Sequence, residues 1–175
     1  YGLPLLWFVA RGQIPKGAGW KFAGLLVLGS MQGFMGWFMV QSGLVDRPSV
    51  SHFRLAAHLG LAFLLFSLML WLALDFRNAL QKSLSHGWRV MAGWCVTAMV
   101  AITIIWGAFV AGLDAGMIYN SFPHMGAGLI PTDFGNIHSS PAGVQFVHRW
   151  LAIATFAAVA AYGWMNRDLK FALYP

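Results

Sequence analysis

The run "HFRLAAHLGLAFLLFSLMLWLAL", residues 52–74, decides the fold. A helix crosses the hydrocarbon core of a bilayer with roughly 20 predominantly apolar residues, and this run supplies them while holding one imidazole, His58, among Leu, Ala and Phe. Working outward, the apolar stretch extends over 52–75, and three more of the same kind lie at 22–44, 90–113 and 143–165. Residues 1–10 read as the last turns of a further helix. None of these runs alternates polar with apolar, so they are helices rather than barrel strands, because lipid offers no partner to an unpaired backbone group. The expected fold is all-α, a polytopic transmembrane helix bundle of four full helices and a partial one.

Composition agrees. The 175 residues are 59% hydrophobic and 9% charged, with nine Trp, fourteen Phe and nine Met, more apolar surface than a water-soluble domain of this size can hide. Eleven Lys and Arg stand against five Asp, with no Glu, for a net charge of +6. The basic residues gather at the ends of apolar runs, where they address lipid head groups, so nucleic acid is not the expected partner. Arg11, Lys16, Lys21, Arg77, Lys82, Arg89, Arg167 and Lys170 fall on one side and Arg47, Arg54 and Arg149 on the other. The positive-inside rule puts the first group in the cytoplasm, or in the matrix of a mitochondrion. A start without a cleavage site, Tyr1 in place of Met and the ending "FALYP" suggest a piece of a longer protein. The single Cys95 lies in an apolar run and forms no internal disulfide.

On the outer side, residues 114–142 form a long segment rich in Gly, Pro, Ser, Asn and Asp with scattered aromatics, which is expected to lie on the bundle as a lid. Tyr119, Asn120, Phe122 and Met125 are its candidate cover residues.

His58 lies about six residues into its helix and His148 about five into its own, both counted from the outer side, which places them at one depth, roughly 8–9 Å down. Ionisable groups inside a membrane are costly and mark functional sites. A neutral imidazole carries a lone pair suited to iron, so the matched pair suggests axial haem ligands, His58 and His148 each on an iron. The competing reading is an interhelical hydrogen bond. Arg54, one turn above His58, and Arg149, beside His148, suit haem propionates or equally outer-leaflet phosphates. His52, His86, His124 and His138 sit at helix ends or in loops, where a solvated histidine needs no explanation, and their spacing argues for no metal site. In "GSMQGFMGWFMVQSG", residues 29–43, and "WGAFVAGLDAG", residues 106–116, small residues including the Gly112/Gly116 pair allow close helix packing and also leave room for a flat macrocycle.

Three stretches together, "GWFMVQSGLVDRPSVSHFRLAAHLGLAF", "GAFVAGLDAGMIYNSFPHMGAGLIP" and "VQFVHRWLA", resemble the middle of haem A synthases of the mitochondrial and alphaproteobacterial type. The resemblance implies an eight-helix protein of two pseudo-symmetric halves, of which residues 1–89 are the later part of the amino-terminal half and 90–175 the first part of the carboxy-terminal half. It implies oxidation of the C8 methyl of haem O to the formyl of haem A, for cytochrome c oxidase. It also implies that His58 serves the substrate porphyrin and His148 a haem b cofactor, each with its partner histidine outside this chain. A ferredoxin-like electron donor, contact with haem O synthase and oxidase assembly factors, a homo-oligomer, and location in a bacterial inner or mitochondrial inner membrane belong to the same expectation. The family's first outer loop with its glutamate and its last two helices find no counterpart here, so the piece alone is expected to be inactive. A di-haem b-type electron-transfer subunit would use the same histidines; a proton-relaying transporter would break its helices with Gly or Pro near the midplane, and these helices carry no such Pro.

Overall fold

A computed structural model describes residues 2–43, 50–76 and 87–167. The chain forms α1 (Gly2–Ala10), α2 (Gly19–Gly43), α3 (His52–Phe76), α4 (Gly87–Gly112), a short 3₁₀ turn (Ala115–Met117) and α5 (Pro141–Met165). The last four α-helices have the length and apolarity to cross a membrane, and at 1.5 Å per residue each is close to 37–39 Å long, about the bilayer with its head groups. The chain is an integral membrane protein.

Three end-to-end contacts set the helices antiparallel. Lys21 at the start of α2 pairs with Asp75 at the end of α3, Nζ to Oδ2 3.0 Å, and Phe22 stacks on Phe76 beside them. Gly112 at the end of α4 meets the backbone of His52 at the start of α3. Tyr162 near the end of α5 donates its hydroxyl to the carbonyl of Arg89 near the start of α4, 3.3 Å. Packing runs in chain order, α2 on α3, α3 on α4 and α4 on α5. Arg11, Lys16, Lys21, Arg89 and Arg167 therefore share one end of the bundle, with Arg54 and Arg149 towards the other; Arg47, Arg77, Lys82 and Lys170 lie outside the described residues.

The interior is thin. Ala56, Ala108, Phe109 and Val144 form its centre, with Leu55, Leu59, Trp106, Val110 and Leu113 packed around them. Elsewhere large apolar side chains face outward, Trp94 at 71% exposure and Phe156 at 76%, a pattern only lipid or a further helix can cover. Hydroxyls inside the spans are satisfied by their own helix: Ser30, Ser67, Thr97 and Thr103 each donate to the carbonyl four residues back.

The Gly112/Gly116 pair does not form one helix face. Asp114 takes a left-handed conformation at φ 51°, ending α4, and Gly116 falls in the 3₁₀ turn beyond it. Gly112 alone provides the close approach, since a Cβ there would stand 2.7 Å from His52 Cα.

Candidate functional site

Pro141 at the first helical position and Ser140 as its cap begin α5 two residues earlier than hydropathy alone suggests. His148 therefore sits seven residues into α5 and His58 six into α3, about 10–11 Å and 9 Å from the helix starts. The matched depth holds within about one residue's rise.

The two imidazoles are seated alike. His58 turns its Cε1 edge to Gly36 on α2, where an added Cβ would stand 3.0 Å from Cε1 and 3.7 Å from each ring nitrogen. His148 turns the same edge to Gly107 on α4, with corresponding distances of 3.2 Å and 3.9 Å. Each histidine thus occupies space that the preceding helix leaves by having glycine there. Both are half-buried, and in both the Nδ1 atom is buried without a hydrogen-bond partner. One turn below each glycine stands a polar residue, Gln32 on α2 and Thr103 on α4. Gln32 Nε2 lies 3.2 Å from His58 Nε2; the Thr103 hydroxyl instead pairs with that of Thr155 on α5 at 2.8 Å. Composition of the helices could suggest Gly36 and Gly107 as packing positions, but nothing in the sequence singles out Gln32.

Arg54, half-buried, lays its guanidinium over the Phe38 ring, 5.2 Å from the centroid. Arg149 reaches the segment between α4 and α5: Nη1 donates to the Ser121 and His124 carbonyls at 2.8 and 3.2 Å, and Nη2 to the Tyr119 carbonyl at 3.1 Å. Gln145, one turn away on α5 and 6% exposed, donates to the carbonyls of Tyr119 and Gly116 at 3.0 and 3.3 Å. Together they fasten residues 116–124 by main-chain carbonyls. Met125 is tucked beneath at 1% exposure, its N–H bonded to the Gly128 carbonyl at 2.7 Å.

The rest of the segment is tied at other points. Trp106 of α4 donates Nε1 to the Ile137 carbonyl at 3.3 Å, and Gly143 packs so closely under Phe134 and Asn136 that a Cβ would meet their carbonyl oxygens at 2.5 and 2.8 Å. Tyr119 donates its hydroxyl to Asp133. That bond, reinforced by the neighbouring negative charge, raises the phenol's pKa, because ionisation would break it and set two anions together. Of the candidate cover residues, Met125 is buried and Tyr119 half-buried, whereas Asn120 and Phe122 are exposed.

These contacts give Arg149 a role beside the two read from the sequence. Lys has the charge but not the planar fork that serves several carbonyls at once. Arg149→Lys is expected to speed amide exchange across residues 119–124 about tenfold or more, since hydrogen bonds from a charged donor are among the stronger ones. Hydrogen–deuterium exchange read by mass spectrometry checks this, and unchanged protection there would mean the loop is fastened by something else.

The remaining histidines divide. His124 and His138 are exposed, as expected. His52 is not simply solvated: its Nε2 is buried without a partner and its ring stands edge-on to Phe109 at 5.5 Å, because Gly112 lets α4 close on the first turn of α3. His86 lies outside the described residues. Among the described residues no group of three or more His, Cys, Asp or Glu converges as a metal site. An apolar groove of about 260 Å³, lined by Trp20, Leu25, Leu68 and Trp71 with the Lys21–Asp75 pair, opens at the far end of α2 and α3, away from both histidines.

Residues 1–171 match the family described as cytochrome oxidase assembly protein. The chain is 44% identical to a haem A synthase of Rhodospirillum centenum over 93% of its own length and 46% of that protein's. It is 44% identical to one from Paramagnetospirillum magneticum, over 95% and 49%, and 42% identical to one from Maricaulis maris, over 100% and 53%. It spans about half the length of these curated relatives. No solved structure matches it significantly.

Proposed function

Because this chain belongs to the cytochrome oxidase assembly protein family, we propose that it is the middle half of a haem A synthase, an enzyme that oxidises the C8 methyl of haem O to the formyl of haem A for cytochrome c oxidase. Relatives named haem A synthase at 42–44% identity support the reading. The observation that carries it is the repeated seat of His58 and His148, two imidazoles at one depth, each facing a glycine and each with a buried, unpartnered Nδ1. Two imidazoles seated alike inside a membrane, neither used up by the side chains around it, fit sites completed by an added group. His58 and His148 would hold iron through a ring nitrogen, the first for the porphyrin that is turned over and the second for a haem b cofactor. A bound haem supplies the redox chemistry that no side chain offers.

The chain's own part is to place and shield. A neutral imidazole costs less inside a membrane than any charged ligand. Arg54 and Arg149, near the outer ends of α3 and α5, provide positive charge where carboxylates of a porphyrin would emerge; Arg149 keeps donor capacity beyond its three carbonyls, because a guanidinium has five N–H groups. The fastened segment 116–124 keeps water from the outer end of α5. A ferredoxin-like electron donor, a bacterial or mitochondrial inner membrane, association with haem O synthase and oxidase assembly factors, and a homo-oligomer complete the proposal.

Expression of the full-length parent in a host that makes haem O but not haem A, followed by chromatography of extracted pigments, tests it. Haem A in the extract is expected. Haem O and haem b alone, with both haems still bound to the purified protein, would overturn the synthase reading and leave an electron carrier.

A further inference from the structure

The two histidines share a seat but not a neighbour. Gln32 presents its side-chain amide to His58 Nε2 at 3.2 Å, and its own Oε1 is buried with no other partner. At the matching turn below Gly107, the Thr103 hydroxyl is already engaged by the Met99 carbonyl and the Thr155 hydroxyl, both at 2.8 Å. Among the described residues, His58 alone of this pair has a side-chain amide on a ring nitrogen.

A neutral imidazole has one lone-pair nitrogen; with the proton on Nδ1 that nitrogen is Nε2, which can serve the Gln32 amide or an iron, not both. A glutamine suits the first task in either ring tautomer, donating to a bare Nε2 through its NH₂ or, with the amide turned over, accepting from a protonated one through Oε1. It is also a flexible side chain that can swing aside.

We propose that Gln32 is a positioning residue that exchanges with iron at His58: it holds the imidazole when no porphyrin is bound, is displaced when one enters, and takes the nitrogen back when it leaves. A site that must admit a substrate and discharge a product needs such a partner, because without one each release would strand a polar atom in the membrane. A site with a resident cofactor does not, and His148 has only the main chain of Thr103 beside its ring, a partner that cannot swing aside. The inference rests on the haem-ligand reading of the two histidines.

The test follows haem transfer from the purified full-length parent in detergent to an apomyoglobin acceptor, the His58 haem being identified by the low-spin signal that His58→Ala removes. Gln32→Met keeps the side chain's length and volume without a hydrogen-bonding amide, and is expected to slow release from the His58 site about three- to tenfold, the range of one ordinary hydrogen bond, with the His148 haem unaffected. Gln32→Asn keeps the amide but withdraws it by one methylene and should follow Gln32→Met. Thr103→Val should leave release from the His148 site within about twofold, its hydroxyl making no bond to that ring. Unchanged release in Gln32→Met would reduce Gln32 to packing and overturn the proposal. Faster release would overturn it too, marking Gln32 as a support of the bound ligand. If His58→Ala removes no haem signal at all, the ligand reading fails first, an outcome distinct from either.

Discussion

His148→Ala, made in the full-length parent, is expected to abolish one low-spin haem signal in low-temperature EPR while leaving a second in place, and His58→Ala to do the reverse. Each histidine is half-buried against a glycine of the preceding helix, so truncation removes a ring that nothing nearby can replace. The loss should be complete for the affected site, because the low-spin signal would depend on the imidazole that is removed. Pyridine haemochrome analysis should show the haem content falling towards half. The two effects should be separable, since the rings sit on different helices, α3 and α5, against different glycines, Gly36 and Gly107. An unaltered spectrum in both variants would make these packing histidines, their orphaned nitrogens notwithstanding.

The second large effect is expected at a residue with no chemistry. Gly112→Leu should destabilise the full-length parent by about 3 kcal/mol or more, at the upper end of what overpacking usually costs. A Cβ at position 112 would stand 2.7 Å from both Cα and Cβ of His52, and the first of these is backbone. No rotamer change relieves that clash, so the end of α4 must part from the start of α3. The Phe53–Phe109 contact, with ring centroids 5.4 Å apart, and the Ala56–Ala108–Phe109–Val144 centre lie next in the path of the displacement. Retention of the monodisperse peak in detergent after heating, followed across temperature, gives the measurement. Gly60→Ala on α3, where a Cβ meets nothing within 4 Å, is the control expected to change little. Equal melting of the two variants would show that the α3–α4 contact is looser than its geometry indicates.

The helices could be read from the sequence because lipid imposes a length and an apolarity that leave few alternatives. Residues 22–44, 52–75, 90–113 and 143–165 became Gly19–Gly43, His52–Phe76, Gly87–Gly112 and Pro141–Met165, shifted where a cap or a left-handed residue overrode hydropathy. His58 and His148 stood out for the same reason, as ionisable groups where such groups are expensive. Their surroundings did not. That Gly36 and Gly107 face the rings depends on the rotation of each helix about its axis, which packing against neighbours decides. Gln32 is one of several polar residues in a largely apolar helix, with Lys21, Ser30 and Gln41, and its tie to His58 is a contact between residues 26 apart in the chain. Arg149 was legible as a charge near the surface, but not its direction, because carbonyls that would receive it carry no mark in the sequence. Gln145 gave a usable signal that its position invited overlooking: a glutamine one turn from an arginine on a largely apolar helix puts two multiple donors on one face.

The outer segment is fastened through the carbonyls of Gly116, Tyr119, Ser121 and His124 by two side chains of α5. Every residue type has a carbonyl, so the clasp does not depend on which amino acids occupy those four positions. Apart from Tyr119 and Ser121, whose hydroxyls also tie to Asp133 and to the His124 carbonyl, side chains there can drift, or be redesigned, without undoing the attachment, whereas Gln145 and Arg149 cannot. The exposed face of the segment is therefore free to change its chemistry while the fold that carries it stays put, a separation of evolvable face from fixed anchor.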